Sequence, residues 1–257
     1  MKNSFNPLNM SNAVPSVRQV TPAHIISWLS AGWRDVRANP VPSIAYGLLF
    51  GIGGDLILLA SIGHPHLFAV AVSGFFLIAP LLAAGLYELS RRNGTVPRPT
   101  FIDSLQVFRN NSKSIALFGL LLAVITLVWE RTSALAFAEL GKSADSNIFQ
   151  FASTTLASSN ASGMVLLWLA LGAMLALLAF MISVVSLPLI IDRQVSVTTA
   201  VLTSLSAFAS NPVTLLLWAV GIVALTVIGF ATLLFGLVII MPVLGHASWH
   251  AYRDLVK

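Results

Sequence analysis

The chain has 257 residues, of which 57% are hydrophobic and only 9% are Asp, Glu, Lys or Arg. An ordinary soluble domain carries roughly a quarter of its residues as charged side chains, so this chain has too few to cover a surface that faces water. The absence of cysteine excludes disulfides, thiol nucleophiles and iron–sulfur ligation, and the net charge of +5 is spread between apolar runs rather than gathered in a nucleic-acid-binding domain.

The polar N-terminal segment comes first, and apolar runs follow it. Residues 1–20 lack the apolar central region of a signal peptide, and we predict a flexible cytoplasmic tail there. Each later run has about 20 residues, enough to cross a hydrocarbon layer of about 30 Å. We therefore predict that residues 21–257 form one all-α membrane domain of six transmembrane helices. Their predicted positions are 43–62, 66–89, 114–131, 164–190, 212–228 and 231–249.

Two connections between these spans are informative. The outer segment 138–163 is rich in Ser, Ala and Asn, which predicts a partly flexible loop. The apolar run from Pro212 to Gly245 would make a single helix of about 50 Å, which is longer than one crossing needs. We predict that this run folds back at residues 228–230.

The basic residues indicate the orientation. Six spans place both ends on one side, and twelve of the 14 basic residues fall on that side, leaving Arg131 and Lys142 on the other. The twelve are Lys2, Arg18, Arg34, Arg37, Arg91, Arg92, Arg98, Arg109, Lys113, Arg193, Arg253 and Lys257. Cytoplasmic loops carry such an excess, so we predict a multi-pass membrane protein with both termini cytoplasmic.

Three similar stretches predict an internal repeat. They are RANPVPSIAYGLL (37–49), FRNNSKSIALFGLL (108–121) and FASNPVTLLLWAV (208–220), and each has asparagine where a polar helix is expected to end and a span to begin. The second span of each unit carries a late proline, at Pro80, Pro188 and Pro242, which are candidate helix breaks. We predict three two-helix repeats over 21–95, 96–195 and 196–257.

An amphipathic helix is predicted before the first span of each repeat. Capping signals open these helices at Thr21-Pro22, at Thr100 with Asp103 and at Ser196 with Thr199. Two interpretations remain open, because such a helix either lies in the membrane interface or packs on the spans as a cytoplasmic connector.

Aromatic and arginine residues mark the expected ends of several spans. Tyr87 and Arg91 correspond to Trp249 and Arg253 after the late prolines, and Trp129 precedes Glu130 and Arg131 at the end of the third span. A ring at the membrane boundary followed by a cation in water is typical of an interface anchor. We predict that role for these five aromatic and arginine side chains.

Four segments together resemble a family of bacterial predicted integral membrane proteins of unknown function. They are GWRDVRANPVPSIAYGLLFGIGGD (32–55), LLAAGLYELSRR (81–92), LPLIIDRQVSVTTAV (187–201) and MPVLGHASWHAYRDL (241–255). The resemblance extends from about residue 20 to the end of the chain. The resemblance implies a location in the bacterial inner (cytoplasmic) membrane. Some members carry a cytochrome c oxidase subunit label, but the resemblance implies no catalytic residue.

Asp55 is the candidate intramembrane polar residue. It lies about twelve residues into the first span, where an ionised carboxylate is costly unless it is paired or hydrated. Gly47, Gly51 and Gly54 nearby allow another helix to come close. The alternative is a structural carboxylate near the outer boundary.

Two histidine pairs are weak candidates for a metal or haem site. His64 and His66 flank a proline in the short outer turn predicted between the first two spans, whereas His246 and His250 share one helical face on the inner side. His246 and His250 have Ala84 and Glu88 as counterparts in the first repeat, so they have either a local function or are ordinary interfacial residues. We predict no metal and no cofactor.

No catalytic motif is present in the sequence, and we predict that the chain is not an enzyme. The first hypothesis is a scaffold, assembly factor or accessory subunit that contacts lipids and another membrane protein or a second copy. The second is a small transporter or channel for a neutral or amphipathic compound, lined by Asp55 and the proline-broken helices. The third is a cytochrome c oxidase-associated metal or haem protein.

Overall fold

The computed structural model describes residues 14–61, 80–95, 98–140, 159–232 and 235–257. Every regular element in these ranges is a helix, which confirms the all-α class. The helices are α1 (Ala23–Ala38), α2 (Pro40–Ser61), α3 (residues 80–92), α4 (Phe101–Asn110), α5 (Ser112–Leu140), α6 (Ser159–Ser183), α7 (Ser186–Arg193), α8 (Val197–Ser210), α9 (Pro212–Ala231) and α10 (Leu237–Leu255).

Three stretches of the described chain are long and apolar enough to cross a membrane. They are Ser112–Ala136 in α5, Leu166–Arg193 in α6 and α7, and Pro212–Ala231 in α9. They coincide with the third, fourth and fifth predicted spans. Helices α2 and α10, which contain most of the first and sixth predicted spans, are not among these candidates, and the second span lies partly outside the described residues. The six-span prediction therefore stays a prediction.

Asparagine joins one helix to the next at three places. Asn39 lies between α1 and α2, Asn111 between α4 and α5, and Asn211 between α8 and α9. Their backbone angles are similar, with φ of −132°, −122° and −137° and ψ of 65°, 21° and 46°. In each case the asparagine carbonyl accepts the first backbone hydrogen bond of the following helix. At each of the three places an asparagine therefore ends one helix and begins the next, while the three two-helix repeats stay a prediction.

Two of the three predicted capping signals form side-chain caps, whereas α1 begins after Pro22 without one. Thr100 and Asp103 form a reciprocal capping box at α4, and the Ser196 side chain accepts a hydrogen bond from the Thr199 backbone N–H at α8. Both satisfy backbone donors that have no partner within the first helical turn.

Two predicted connections are wrong in their boundaries. The loop predicted at 138–163 is helical at both ends, because α5 continues to Leu140 through a stretch rich in alanine and leucine, and α6 already begins at Ser159. The turn predicted at 228–230 lies later, since α9 continues to Ala231. Gly229 does not make the turn; it gives room to the following helix, and a Cβ there would lie 2.4 Å from Leu237 Cδ2.

Helix α10 lies at the centre of the fold, with α1 and α2 packed against it. The contacts are close at two glycines. A Cβ on Gly32 of α1 would lie 2.6 Å from the Val243 carbonyl oxygen, and one on Gly47 of α2 would lie 1.9 Å from the Val238 carbonyl oxygen. Pro242 has no N–H to bond the Val238 carbonyl, so α2 crosses α10 where the proline has released a backbone acceptor.

The amphipathic helices pack against other helices on one side and expose apolar side chains on the other. In α1 the buried residues recur at helical spacing: Trp28, Ala31, Gly32, Asp35 and Val36. Ile26 on α1 and Ile102 on α4 are 74% and 75% exposed. The helices are thus packed elements, and their contact with the membrane interface stays a prediction.

The first and last described segments pair with each other. Val17 and Val256 form an antiparallel bridge, and the Arg18 N–H donates to the Leu255 carbonyl at 2.8 Å. The Asn211 side chain holds the same N-terminal segment by accepting from the Val20 N–H and donating to the Arg18 carbonyl. Both ends of the described chain therefore lie near Asn211, one of the three asparagines that join two helices. We call Asn39, Asn111 and Asn211 the asparagine joints, and this end the polar end of the bundle.

Candidate functional site

A chain of polar side chains joins α1, α2, α3 and α10 near that end of the bundle. Helix α1 contributes Asp35, which lies in its buried stripe, while α2 contributes Ser43 and α3 contributes Ser90. Helix α10 contributes His246 and His250, which lie one turn apart on one face. Because α10 is central, this face meets all three neighbouring helices.

The fully buried imidazole of His246 has a partner at each nitrogen. Its Nε2 lies 3.0 Å from the Ser43 hydroxyl, and its Nδ1 lies 2.6 Å from the Ser90 hydroxyl. Ser43 in turn donates to the Asn39 carbonyl at 2.7 Å. The free-energy cost of removing the ring nitrogens from water is thus offset by a hydrogen bond at each nitrogen.

Asp35 connects the buried ring to the edge of the protein. Its Oδ2 accepts from Ser90 at 2.6 Å and lies 2.9 Å from His250 Nε2, while its Oδ1 accepts from the Asn93 amide at 2.8 Å. The His250 side chain is 33% exposed, against 9% for Asp35. The hydrogen bonds therefore run from a half-buried histidine through a carboxylate to a buried histidine.

The surroundings of Asp35 favour its ionised form. Burial raises the pKa of this carboxyl, but hydrogen bonds from His250 and Ser90, together with the neighbouring imidazoles, outweigh burial and hold the pKa below its ordinary value of 3.8.

A second polar cluster lies on α3 and extends to its neighbours. Glu88 is buried, and it accepts hydrogen bonds from Arg91 and Arg92 one turn further along the helix. Arg92 also donates to Gln106 of α4 at 2.9 Å. The carboxylate is fully neutralised, and the cluster connects α3 to α4.

The predicted interface anchors are held by protein contacts. Trp249 is only 4% exposed and packs near Tyr252, and the Tyr87 hydroxyl bonds to Ser248. Arg91 pairs with Glu88, and Arg253 lies 3.5 Å from Asp192. Trp129 stacks on Trp168 with ring centroids 5.1 Å apart. Their anchoring role in a membrane stays a prediction, and Trp249 faces protein rather than an open boundary.

The remaining candidate residues lie apart from this site. Asp55 is exposed on α2, Pro188 lies in the first turn of α7 after a break at residues 184–185, and Pro80 is the first described residue of α3. His64 and His66 lie outside the described residues. Within the described ranges no three His, Cys, Asp or Glu side chains are arranged to hold a metal ion.

Asp35, Ser43 and Ser90 were not identified as candidates from the sequence. One local signal was present, because Asp35 occupies a position of the α1 stripe that otherwise holds apolar or small residues. The partners themselves are remote, since Asp35 and His250 are 215 positions apart. Their meeting depends on the packing of α1 against α10.

Comparison with known proteins gives one match. Residues 67–192, nearly half of the chain, match the family model described as Predicted integral membrane protein (DUF2189). The match agrees with the resemblance seen in the sequence, although it is shorter than the extent from about residue 20 to the end, and its description contains no oxidase label. Neither a curated protein nor a solved structure matches the chain.

Proposed function

We propose that this integral membrane protein is a non-enzymatic accessory or scaffold subunit, and that it receives a helix of another membrane protein along one face of α2. The proposal rests on Asp55. This carboxylate is exposed on an apolar helix of a membrane protein, where neither lipid nor the described protein neutralises it.

The exposed face of α2 has the pattern of a helix-docking surface. Ile52, Leu56 and Leu59 are 55%, 61% and 63% exposed, and with Asp55 they follow the i, i+3, i+4, i+7 spacing of a single helical face. We call these four residues the α2 outer face. The opposite side of α2 packs on α10 through Gly47, and no helix in the described part of the chain covers the outer face.

The depth of Asp55 makes its exposure costly. It follows Pro40 by fifteen positions, which places it about 22 Å along the axis at about 1.5 Å per residue. An acidic side chain within the hydrocarbon layer costs about 2.5–3.5 kcal/mol near the centre of a span. A partner helix with a basic or hydrogen-bond-donating side chain would remove that cost. A second copy docked through the same face would instead bring two Asp55 carboxylates together.

The position of the chain ends supports α2 or its neighbours as further spans. Ends that lie together require an even number of crossings, whereas α5, α6–α7 and α9 supply three candidates. At least one further crossing is therefore needed, and six spans with the polar end of the bundle in the cytoplasm satisfy this requirement and the excess of basic residues there.

Photo-crosslinking in cells tests the docking surface. A crosslinking amino acid placed at Ile52 or Leu56 is expected to give a discrete protein adduct. The same residue at Val220 or Val223 of α9, which are 64% and 61% exposed, is expected to give only lipid adducts.

The role of Asp55 is tested in the same strains. The adduct from Ile52 should be lost with Asp55→Ala and retained with Leu216→Ala, a control on the exposed side of α9. Lipid adducts alone at all four positions, or an adduct indifferent to Asp55→Ala, would rule out the proposal. Adducts between differently tagged copies of this chain would replace it with self-association.

The other two hypotheses have less support from the geometry. A transport crevice lined by Asp55 and Pro242 is not favoured, because Asp55 is exposed on α2 while Pro242 is buried beside the close contact between α2 and α10. An oxidase-associated haem or metal role has no described ligand set. Liposome flux and an absorption spectrum of the purified protein would test them.

A further inference from the structure

The hydrogen bonds at His246 determine where protons must lie. Ser43 has one hydroxyl hydrogen, and the Asn39 carbonyl can only accept, so that hydrogen is donated to Asn39. The 3.0 Å contact between Ser43 and His246 then requires the hydrogen on Nε2 of the imidazole. A neutral His246 in this arrangement has no hydrogen on Nδ1.

The position of the Ser90 hydrogen must also be found, on the other side of the His246 ring. Its single hydrogen faces two groups, Asp35 Oδ2 and His246 Nδ1, and each lies 2.6 Å from the hydroxyl oxygen. An ionised Asp35 and a neutral His246 are both acceptors at these atoms, so one of the two contacts would bring two acceptors together. Two short hydrogen bonds require one additional proton.

We propose that Asp35, Ser90 and His246 bind one exchangeable proton, which enters from the surface through His250. With the proton on His246, Nδ1 donates to Ser90 and Ser90 donates to the Asp35 carboxylate. With the proton on Asp35, the carboxylic acid donates to Ser90 and Ser90 donates to Nδ1. The two forms interconvert when one proton moves onto the hydroxyl oxygen as another leaves it.

Entry of the proton through His250 also conserves the number of protons. A proton from water binds Nδ1 of the half-exposed His250, and the hydrogen on its Nε2 passes to Asp35 Oδ2 across 2.9 Å. One proton enters and one moves inward, and no other reactant is needed. The pathway ends at Ser43 and Asn39, so the site stores a proton and does not conduct it across the bundle.

The other groups that face the site from the neighbouring helices do not compete for this proton. Helix α1 contributes Asp35 and α10 contributes the two histidines. Helix α3 contributes the neutral Ser90, the neutral Asn93 follows its end, and its Glu88 is bound by two arginines. Helix α2 contributes the neutral Ser43 and its backbone.

Two spectroscopic signatures detect the proton directly in the full chain in lipid nanodiscs. Nitrogen NMR of labelled histidine is expected to show both ring nitrogens of His246 protonated, or infrared spectra to show a carboxylic acid band that Asp35→Asn removes. Because the pKa of Asp35 is held below its ordinary value, the doubly protonated His246 is the signature expected between about pH 5 and 8. A singly protonated His246 with no such band would overturn the proposal.

Variants separate the proton site from simple packing. Ser90→Ala should abolish the signature, whereas Ser90→Thr, which keeps the hydroxyl, and Ser27→Ala, at an exposed hydroxyl of α1, should retain it. His250→Gln should slow hydrogen exchange at His246, and an unchanged exchange rate would overturn the entry route. Because Ser90→Thr adds only one methyl group and His250→Gln removes little volume, these outcomes do not depend on Ser90→Ala folding.

Discussion

His246 is the residue at which burial and polarity conflict most directly. Its side chain has no exposed surface, yet both ring nitrogens are polar, and the fold meets them with one hydroxyl from α2 and one from α3. A buried ring of this kind specifies how three helices approach one another, because each hydrogen bond has a narrow distance and direction.

We expect His246→Ala to destabilise the protein by about 3 kcal/mol, because it removes the buried hydrogen bonds to Ser43 and Ser90 and creates a cavity. His250→Ala, at the half-exposed end of the same face, should cost about 1 kcal/mol. Thermal unfolding in a mild detergent, followed by circular dichroism, measures both. Equal losses for the two variants would contradict the described difference in burial.

The sequence identified this histidine pair but not its partners. Spacing of four places His246 and His250 on one helical face by local geometry alone. Asp35 and Ser90 reach them only after α1 and α3 pack on α10, and no local pattern encodes those contacts. Ordinary interfacial histidines and a buried hydrogen-bonded pair therefore have the same sequence pattern.

At the scale of elements, glycine determines how closely the helices pack. Gly47→Ala would place a methyl group against the Val238 backbone of α10, which cannot move aside as a side chain can. We expect a loss of stability of about 1–3 kcal/mol. Gly53→Ala, on the same helix and with nothing within 4 Å of the added Cβ, is the matched control and should not destabilise. Equal melting temperatures for the two variants would contradict the close crossing of α2 and α10.

The asparagine joint at Asn211 holds the N-terminal segment as well as two helices. Asn211→Ala removes the side chain that bonds to Val20 and Arg18, so limited trypsin digestion should cleave after Arg18 faster than in the parent chain. The control is Asn111→Ala, because the Asn111 amide donates only within its own helix, to the Val107 carbonyl. Slow cleavage in both variants would argue against the tether.

Local signals predicted the elements better than the turns. Capping residues located the starts of α4 and α8, and an asparagine ends each amphipathic helix, because these features depend on neighbours within one turn. Gly229 misled the prediction of the fold-back, since a small residue serves a close helix contact as well as a turn. The packing of α10 against Gly229 shows that this glycine serves a close helix contact and not a turn.

At the scale of the whole molecule, the packing collects polar contacts at one end. Trp28 bonds to Asp254, Tyr252 bonds to Asp192 and the two chain ends pair, while α5 and α9 expose most of their apolar surface. This asymmetry is expected of a membrane protein with a folded polar end and lipid-facing or partner-facing helices. Composition predicted that the chain lies in a membrane. Only the structure shows that the two described ends of the chain lie together.

The central claim is that the polar end faces one compartment and that the chain crosses the membrane an even number of times. The chain has no cysteine, so single-cysteine variants can be labelled without removing native thiols. Cysteines at Gln19, Gln194 and Lys257 should react with a membrane-impermeant reagent only in inside-out vesicles, and a cysteine at Thr232, between α9 and α10, only in right-side-out vesicles. Labelling of Gln19 and Lys257 from opposite sides would contradict the account.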